Sequence, residues 1–265
     1  MLFGRRHRHR LRFFLVLQLF CGAIALSGIG SIEVAEAREP GARRAIAPLL
    51  QSSRPLRIGV VGDSVAGDLA RGLHKLLRTR DNIGVIKFTK PATGLMRDDV
   101  YDWGPALESF VRRYKLDVIA VMIGGNDRQS IWMNGRRLVF GSGEWQAEYE
   151  RRVARFMAIL ATEKANVYWI GLPIVRSDEV AKAYRTLNRI FESQAKKFGL
   201  TYIDTWTVFA DTSGGYSSFG RDLEDVKRRL RKSDGFHFTI EGELLLAHIV
   251  ARAIARDLGA KKPAN

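Results

Sequence analysis

Short apolar runs recur along the chain, each followed by a stretch whose apolar residues fall at helical spacing. No other feature restricts the fold as much. Residues 57–61 run into Gly62 and read as a buried strand, and residues 65–80 carry Leu69, Leu73, Leu76 and Leu77 at helical spacing. Further strands are predicted at 83–88, 117–123, 166–170 and 201–203. Further helices are predicted at 103–114, with Leu107, Phe110 and Val111 on one side, and at 144–164, 179–198 and 240–258. Strands alternating with helices imply an α/β chain with a parallel sheet covered on both faces. Right-handed crossovers make it a three-layer α/β/α sandwich, here with a five-stranded parallel sheet. In such sheets the chemistry sits beyond the carboxyl ends of the strands.

The first 37 residues are of another kind. Arg5, Arg6, Arg8, Arg10 and Arg12 precede an almost wholly apolar run over 13–29, interrupted by Gln18, and Ala35-Glu36-Ala37 offers an A-x-A cleavage pattern. This reads as an export signal peptide, or as an N-terminal anchor if it stays uncleaved, because the run sits at the short edge of a membrane span. Either way the positive-inside rule puts the remainder outside the cytoplasm. The expectation is a periplasmic or other cell-envelope protein, tethered to the inner membrane in the uncleaved case. Residues 38–55, with Pro40, Pro48 and Pro55, read as a linker, leaving 56–260 as one domain. Cys21 is the only cysteine and lies in the leader, so the remainder has no disulfide, thiol nucleophile or cysteine metal site. Outside the leader 38 Lys and Arg face 26 Asp and Glu, a net charge of +12. That favours an anionic partner such as acidic polysaccharide, phospholipid or wall polymer. Nucleic acid is disfavoured by export and by the lack of a recognition motif.

Polar clusters fall where strands end. Val60-Val61-Gly62-Asp63-Ser64 puts a hydroxyl at the sheet rim, with its N–H at the positive end of the next helix, where an oxyanion is stabilised. Taken alone, Ser64 reads more simply as a helix cap. Ile123-Gly124-Gly125-Asn126-Asp127 ends the third strand. Its glycines permit a sharp turn and Asn126 can donate an amide hydrogen bond to an oxyanion, although the run is also ordinary turn vocabulary. Ser233-Asp234-Gly235-Phe236-His237-Phe238-Thr239 precedes the last helix. A serine is a weak nucleophile until a base takes its proton, and histidine titrates in the right range. A carboxylate three residues earlier can curl back to hold the other ring nitrogen. His74 and His248 fall within helices and read as surface or packing residues. Thr93-Gly94, after the second strand, can offer another backbone N–H. Asp98, Asp99 and Asp102 have no histidine or cysteine nearby and read as solvated or capping residues, so no metal and no cofactor is implied. Segments 128–143 and 208–233 leave the same sheet edge as pocket-shaping loops or plain solvated excursions, with 227–232 read as a charged helix face.

In order, Gly62-Asp63-Ser64, Gly94, Gly124-Gly125-Asn126-Asp127 and Asp234-Gly235-Phe236-His237 resemble the blocks of the SGNH/GDSL hydrolase superfamily: G-D-S, a lone Gly, G-x-N-D and D-x-x-H. The resemblance spans about residues 57–258, and Phe238-Thr239-Ile240-Glu241-Gly242 is similar to the segment that follows the family's histidine. It implies the flavodoxin-like SGNH hydrolase fold and a serine esterase that works through an acyl-enzyme. By position it implies Ser64 as nucleophile, His237 as general base and Asp234 as the residue that orients His237. It also implies an oxyanion hole from the N–H groups of Ser64 and Gly94 with the Asn126 side chain. Asp63 reads as structural, and Val65 stands where the family usually has Leu. Loop 128–143 has no general counterpart, so specificity is not inherited; Trp132, Arg136 and Arg137 in it are the expected substrate-binding residues. The expected partner is an ester-bearing small molecule or an anionic envelope polysaccharide, such as an O-acetylated polysaccharide or wall glycan. The alternatives are a lipid esterase or thioesterase, an O-acyltransferase of the same fold, and a non-catalytic envelope-binding module.

Overall fold

A strand covered on both faces needs apolar residues at every position, and the central strands have them. The computed structural model describes residues 41–260; the expected leader lies outside the described residues. In chain order the elements are α1 (Gly41–Ala45), α2 (Ala47–Leu50), β1 (Leu56–Gly62), α3 (Ser64–Leu77), β2 (Ile83–Thr89), α4 (Trp103–Arg113) and β3 (Val118–Met122). A hairpin of β4 (Ile131–Met133) and β5 (Arg136–Leu138) precedes α5 (Gly143–Ala161), β6 (Asn166–Ile170), α6 (Asp178–Lys197), β7 (Thr201–Ile203) and α7 (Trp206–Phe209). A second hairpin, β8 (Phe219–Arg221) with β9 (Lys227–Arg229), leads to α8 (Ile240–Ala260).

The main sheet has five parallel strands in the order β2-β1-β3-β6-β7. The chain steps outward from β1 to β2 and then back across to β3. Right-handed crossovers in opposite directions place α3 and α4 on opposite faces. On one face α3 packs with α8, and on the other α4 packs with α5 and α5 with α6. Every residue of β3 is buried, and Tyr168, Trp169, Trp145 and Phe191 fill the layers around it. The strand order reverses between β1 and β3, so their carboxyl ends open the crevice at which α/β sheets hold ligands.

Two expectations need correction. Residues from 41 onward are not a linker: Ile46 and Leu49 are buried, α2 packs on α8, and Nε2 of His248 bonds to the Ala42 carbonyl at 2.8 Å. The apolar side chains of this segment cover part of α8, which outweighs the loop signal of its prolines; Pro48 sits in the first turn of α2, where its missing N–H costs nothing. Residues 227–232 form no helix face. They enter the β8–β9 hairpin, whose turn is held by Asp222 Oδ1 accepting from the N–H groups of Glu224 and Val226. Among the described residues no helix is long and apolar enough to cross a membrane.

Candidate active site

Ser64 starts α3 directly after β1. The turn needs Gly62, which has φ +143° and whose absent Cβ would lie 2.0 Å from the Met122 carbonyl oxygen. Asp63, fully buried, caps α3 by accepting the Val65 N–H at 3.1 Å. Its other oxygen accepts the N–H groups of Gly124 (3.1 Å) and Gly125 (2.9 Å), which ties the end of β1 to the end of β3. Burial pushes the Asp63 carboxyl up to about 7, with Asp127 adding repulsion, against the pull of the three N–H groups. The capping role first suspected for Ser64 thus belongs to Asp63, and Ser64 is left with its hydroxyl at the rim and its N–H in the first helical turn.

His237 reaches that hydroxyl from the loop before α8: Nε2 lies 2.9 Å from Ser64 Oγ, and Nδ1 lies 2.8 Å from Asp234 Oδ2. Asp234 Oδ1 accepts the backbone N–H groups of Phe236 (2.8 Å) and His237 (2.9 Å). Partial burial pushes this carboxyl upward, but the hydrogen bond from His237 and the two backbone N–H groups outweigh it and hold it at about 2. Ionised Asp234 only accepts, so Nδ1 carries the ring proton and Nε2 of the neutral imidazole is free to accept the proton of Ser64. The residue next to His237 is pinned as well: the Phe238 N–H donates to Asp68 Oδ2 at 3.0 Å. Asp68 is buried on α3 four residues after Ser64 and also pairs with Arg71. Ser64 and His237 are therefore registered through one helix. Arg231, buried nearby, donates to the Ile174 carbonyl at 2.8 Å and stacks its guanidinium over Phe238 at 4.3 Å; burial lowers it to about 10.

Of the expected oxyanion donors, Ser64 and Asn126 meet at this corner. Asn126 lines the cavity with Ser64, and its Nδ2 is held by donation to the Thr93 carbonyl at 2.9 Å, which fixes the amide plane. Gly94 does not line that cavity. It is buried against Asp127, whose carboxylate occupies the place a Cβ would take, 1.9 Å from it. Asp127 in turn accepts the N–H groups of Leu95 (2.9 Å) and Met96 (3.2 Å) and the Tyr149 hydroxyl (2.7 Å). Burial raises the Asp127 carboxyl, with these donors pulling against it. Gly94 is therefore required for the loop to close on Asp127. Between β2 and Gly94 the chain bends through Ala92, a non-glycine residue at φ +58° that does line the cavity; such a conformation is costly and clusters at functional sites.

The cavity has a volume of about 530 Å³ and brings together Ser64, Asn126, Asp234 and His237 with an apolar wall of Val175, Val180 and Phe236. Two cations stand at it, Arg128 and Arg176. Arg176 is engaged, donating to the Ser233 carbonyl at 2.7 Å; Arg128 is exposed. The residues expected to bind substrate are elsewhere. Trp132, Arg136 and Arg137 lie on the β4–β5 hairpin and do not line this cavity; Arg136 pairs with Glu144 at 3.0 Å, and Trp132 stands 71% exposed opposite Arg137. The hairpin buries Ile131 and Leu138 but carries these three side chains outward, and the apolar cavity wall comes instead from Val175 in the β6–α6 connection, Val180 on α6 and Phe236 before α8. Asp102 caps α4 through the Gly104 N–H, Asp98 pairs with Arg152 and Asp99 with Arg97. Among the described residues no group of three His, Cys, Asp or Glu side chains is placed to hold a metal ion.

Solved structures share this architecture. LAE5, an alpha/beta hydrolase enzyme from the metagenome of Lake Arreo, is 15% identical and superposes with a TM-score of 0.58 over 78% of this chain and 99% of its own. A member of the lipolytic G-D-S-L family from Veillonella parvula is 15% identical, with a TM-score of 0.52 over 76% of this chain and 99% of its own. Axe2, an acetylxylan esterase from Geobacillus stearothermophilus, is 17% identical, with a TM-score of 0.53 over 78% of this chain and 95% of its own. A search of curated proteins finds no match. The fold is that of the SGNH hydrolases. A family model matches residues 57–253, which take in Ser64, Asn126 and His237 alike, and the chain belongs to the family it describes, DUF459, a protein family of unknown function.

Proposed function

We propose that this protein is a serine esterase that cleaves a carboxylic ester of the cell envelope through an acyl-enzyme. The observation that carries the reading is the hydrogen-bonded line from Ser64 Oγ through His237 to Asp234, with steps of 2.9 and 2.8 Å, opening on a cavity. Ser64 Oγ attacks the ester carbonyl carbon while His237 Nε2 takes its proton. The carbonyl π pair becomes the oxyanion, faced by the Ser64 N–H at the start of α3 and by the Asn126 amide. When the oxyanion collapses, the carbon–oxygen bond to the alcohol breaks and the alkoxide leaves with the proton held by His237. Water then enters by the same route, giving up a proton to His237, and the acid departs as Ser64 recovers its hydrogen. Asp234 stays ionised throughout and offsets the charge of the imidazolium.

The envelope setting rests on the basic, apolar leader with its A-x-A site. An O-acetylated polysaccharide or wall glycan is the favoured substrate, because the catalytic corner is open to solvent-borne ligands and the acetylxylan esterase named above shares the fold. The test is a panel of p-nitrophenyl acetate, a long-chain p-nitrophenyl ester and an acetylated polysaccharide, with Ser64→Ala as control. Acetyl substrates are expected to be preferred, and Ser64→Ala is expected to lower kcat by about 10³-fold or more. Turnover that survives in Ser64→Ala, or its absence for every ester, contradicts the reading.

A further inference from the structure

The cavity at Ser64 does not stand alone. Arg128 lines both it and a neighbouring cavity of about 380 Å³, where Lys182 and Thr186 also stand. Lys182 and Thr186 in turn line a third cavity, of about 900 Å³, shared with Arg185 and Arg189. The three depressions therefore run in series from the nucleophile along the outer side of α6. Lys182, Arg185 and Arg189 are spaced i, i+3 and i+7, so they form one exposed stripe that extends about 10 Å along the helix axis.

These cations are not spent on internal ion pairs. Arg128, Lys182, Arg185 and Arg189 have no carboxylate partner among the described residues. Arg185 lies over the Trp206 ring at 4.1 Å, and Arg189 donates to the Thr186 hydroxyl at 3.2 Å. The carboxylates facing the series are Glu179, Glu192 and Asp204, and Asp204 is occupied by the Trp206 N–H and the Thr207 hydroxyl. Elsewhere on the surface arginines do find carboxylates, as in Arg97–Asp99, Arg112–Glu108 and Arg221–Asp225.

We infer that the outer side of α6 is a binding track for an extended polyanion, and that the polyanion is an acidic polysaccharide carrying the ester that Ser64 attacks. The inference rests on the esterase reading and adds the class of polymer. Its repeating carboxylates lie along Lys182, Arg185 and Arg189, and Arg128 sits where the chain turns into the catalytic cavity. A flat membrane does not fit depressions in series. Nucleic acid fits the charge, but it carries phosphodiesters and no carboxylic ester for the serine at the head of the track.

The experiment compares chemically acetylated polygalacturonate with chemically acetylated xylan, a neutral polymer, and with p-nitrophenyl acetate. The readout is the ratio of kcat/KM on polymer to that on the aryl ester within each variant. For the natural sequence, the acidic polymer is expected to exceed the neutral one by at least tenfold. That excess is expected to vanish as added salt shortens the screening length from about 10 Å at 0.1 M to about 3 Å at 1 M. The double variant Lys182→Gln/Arg189→Gln is expected to lose about tenfold in the acidic-polymer ratio, and Arg112→Gln on α4 to keep it. Equal use of both polymers, or a ratio unmoved in the double variant, overturns the track. Binding to unmodified polygalacturonate by Ser64→Ala protein is measured in parallel. Binding without any ester turnover leaves the track standing and removes the esterase reading, whereas aryl-ester turnover without binding does the reverse. Competition by single-stranded oligodeoxythymidylate as effective as polygalacturonate overturns the polysaccharide assignment.

Discussion

Asp63 holds three backbone N–H groups and no cation, so its charge is the least compensated of the buried carboxylates around Ser64. Desolvation lifts it from the ordinary carboxylate value to about 7. Its proton is then bound more tightly in the folded protein than in the unfolded chain. The stabilisation linked to that proton is complete below about pH 4 and is lost as pH rises through about 7. Urea unfolding between pH 5 and 8 is expected to show stability falling more steeply for the natural protein than for Asp63→Asn, whatever the offset between the two. Parallel slopes would show that Asp63 is already ionised. At this scale the convergence of Ser64, His237 and Asp234 was legible, because the proposed chemistry demands particular residue types, and the three meet as expected. The wall of the cavity was not. Phe236, Val175 and Arg128 are ordinary residue types whose meeting depends on three separate connections. That Trp132, Arg136 and Arg137 do not line the cavity was hidden for the same reason.

Elements with strong periodicity were read to within a few residues; the exceptions are short pieces. The β4–β5 hairpin turns through Asn134 (φ +51°) and Gly135 (φ +71°). Asn-Gly is the strongest short hairpin signal there is, and here it marks a hairpin inside a stretch whose composition otherwise suggests a loop. The β8–β9 strands are three residues each, with β9 composed of Lys227, Arg228 and Arg229 and exposed throughout, so no alternation marked them. Residues 41–50 show the converse, because Pro48, with Pro40 and Pro55 on either side, suggests a tether while Ile46 and Leu49 are enclosed by tertiary contacts. If that packing holds the segment in the fold, Leu49→Ala will lower the unfolding free energy by about 2–5 kcal/mol. A change near zero in denaturant unfolding would return the segment to a linker.

Across the whole molecule, the sheet order does most to create the site. The reversal between β1 and β3 opens the crevice, β1 delivers Ser64 into it and β3 delivers Asn126. The last helix closes over α3 and brings His237 to Ser64, with Asp68 fixing the distance from the serine's own helix. This layout was legible because alternating strands and helices leave few topologies once crossovers are right-handed. The proposed track was not, since it depends on the exposed side of α6 and on which of its cations lack partners. The most direct test of the account is covalent labelling with a fluorophosphonate, followed by peptide mass spectrometry. A single adduct on Ser64 is expected, absent in Ser64→Ala and slowed by orders of magnitude in His237→Ala. No adduct on the folded natural protein, or an adduct on Ser64 formed as fast without the imidazole, would contradict it.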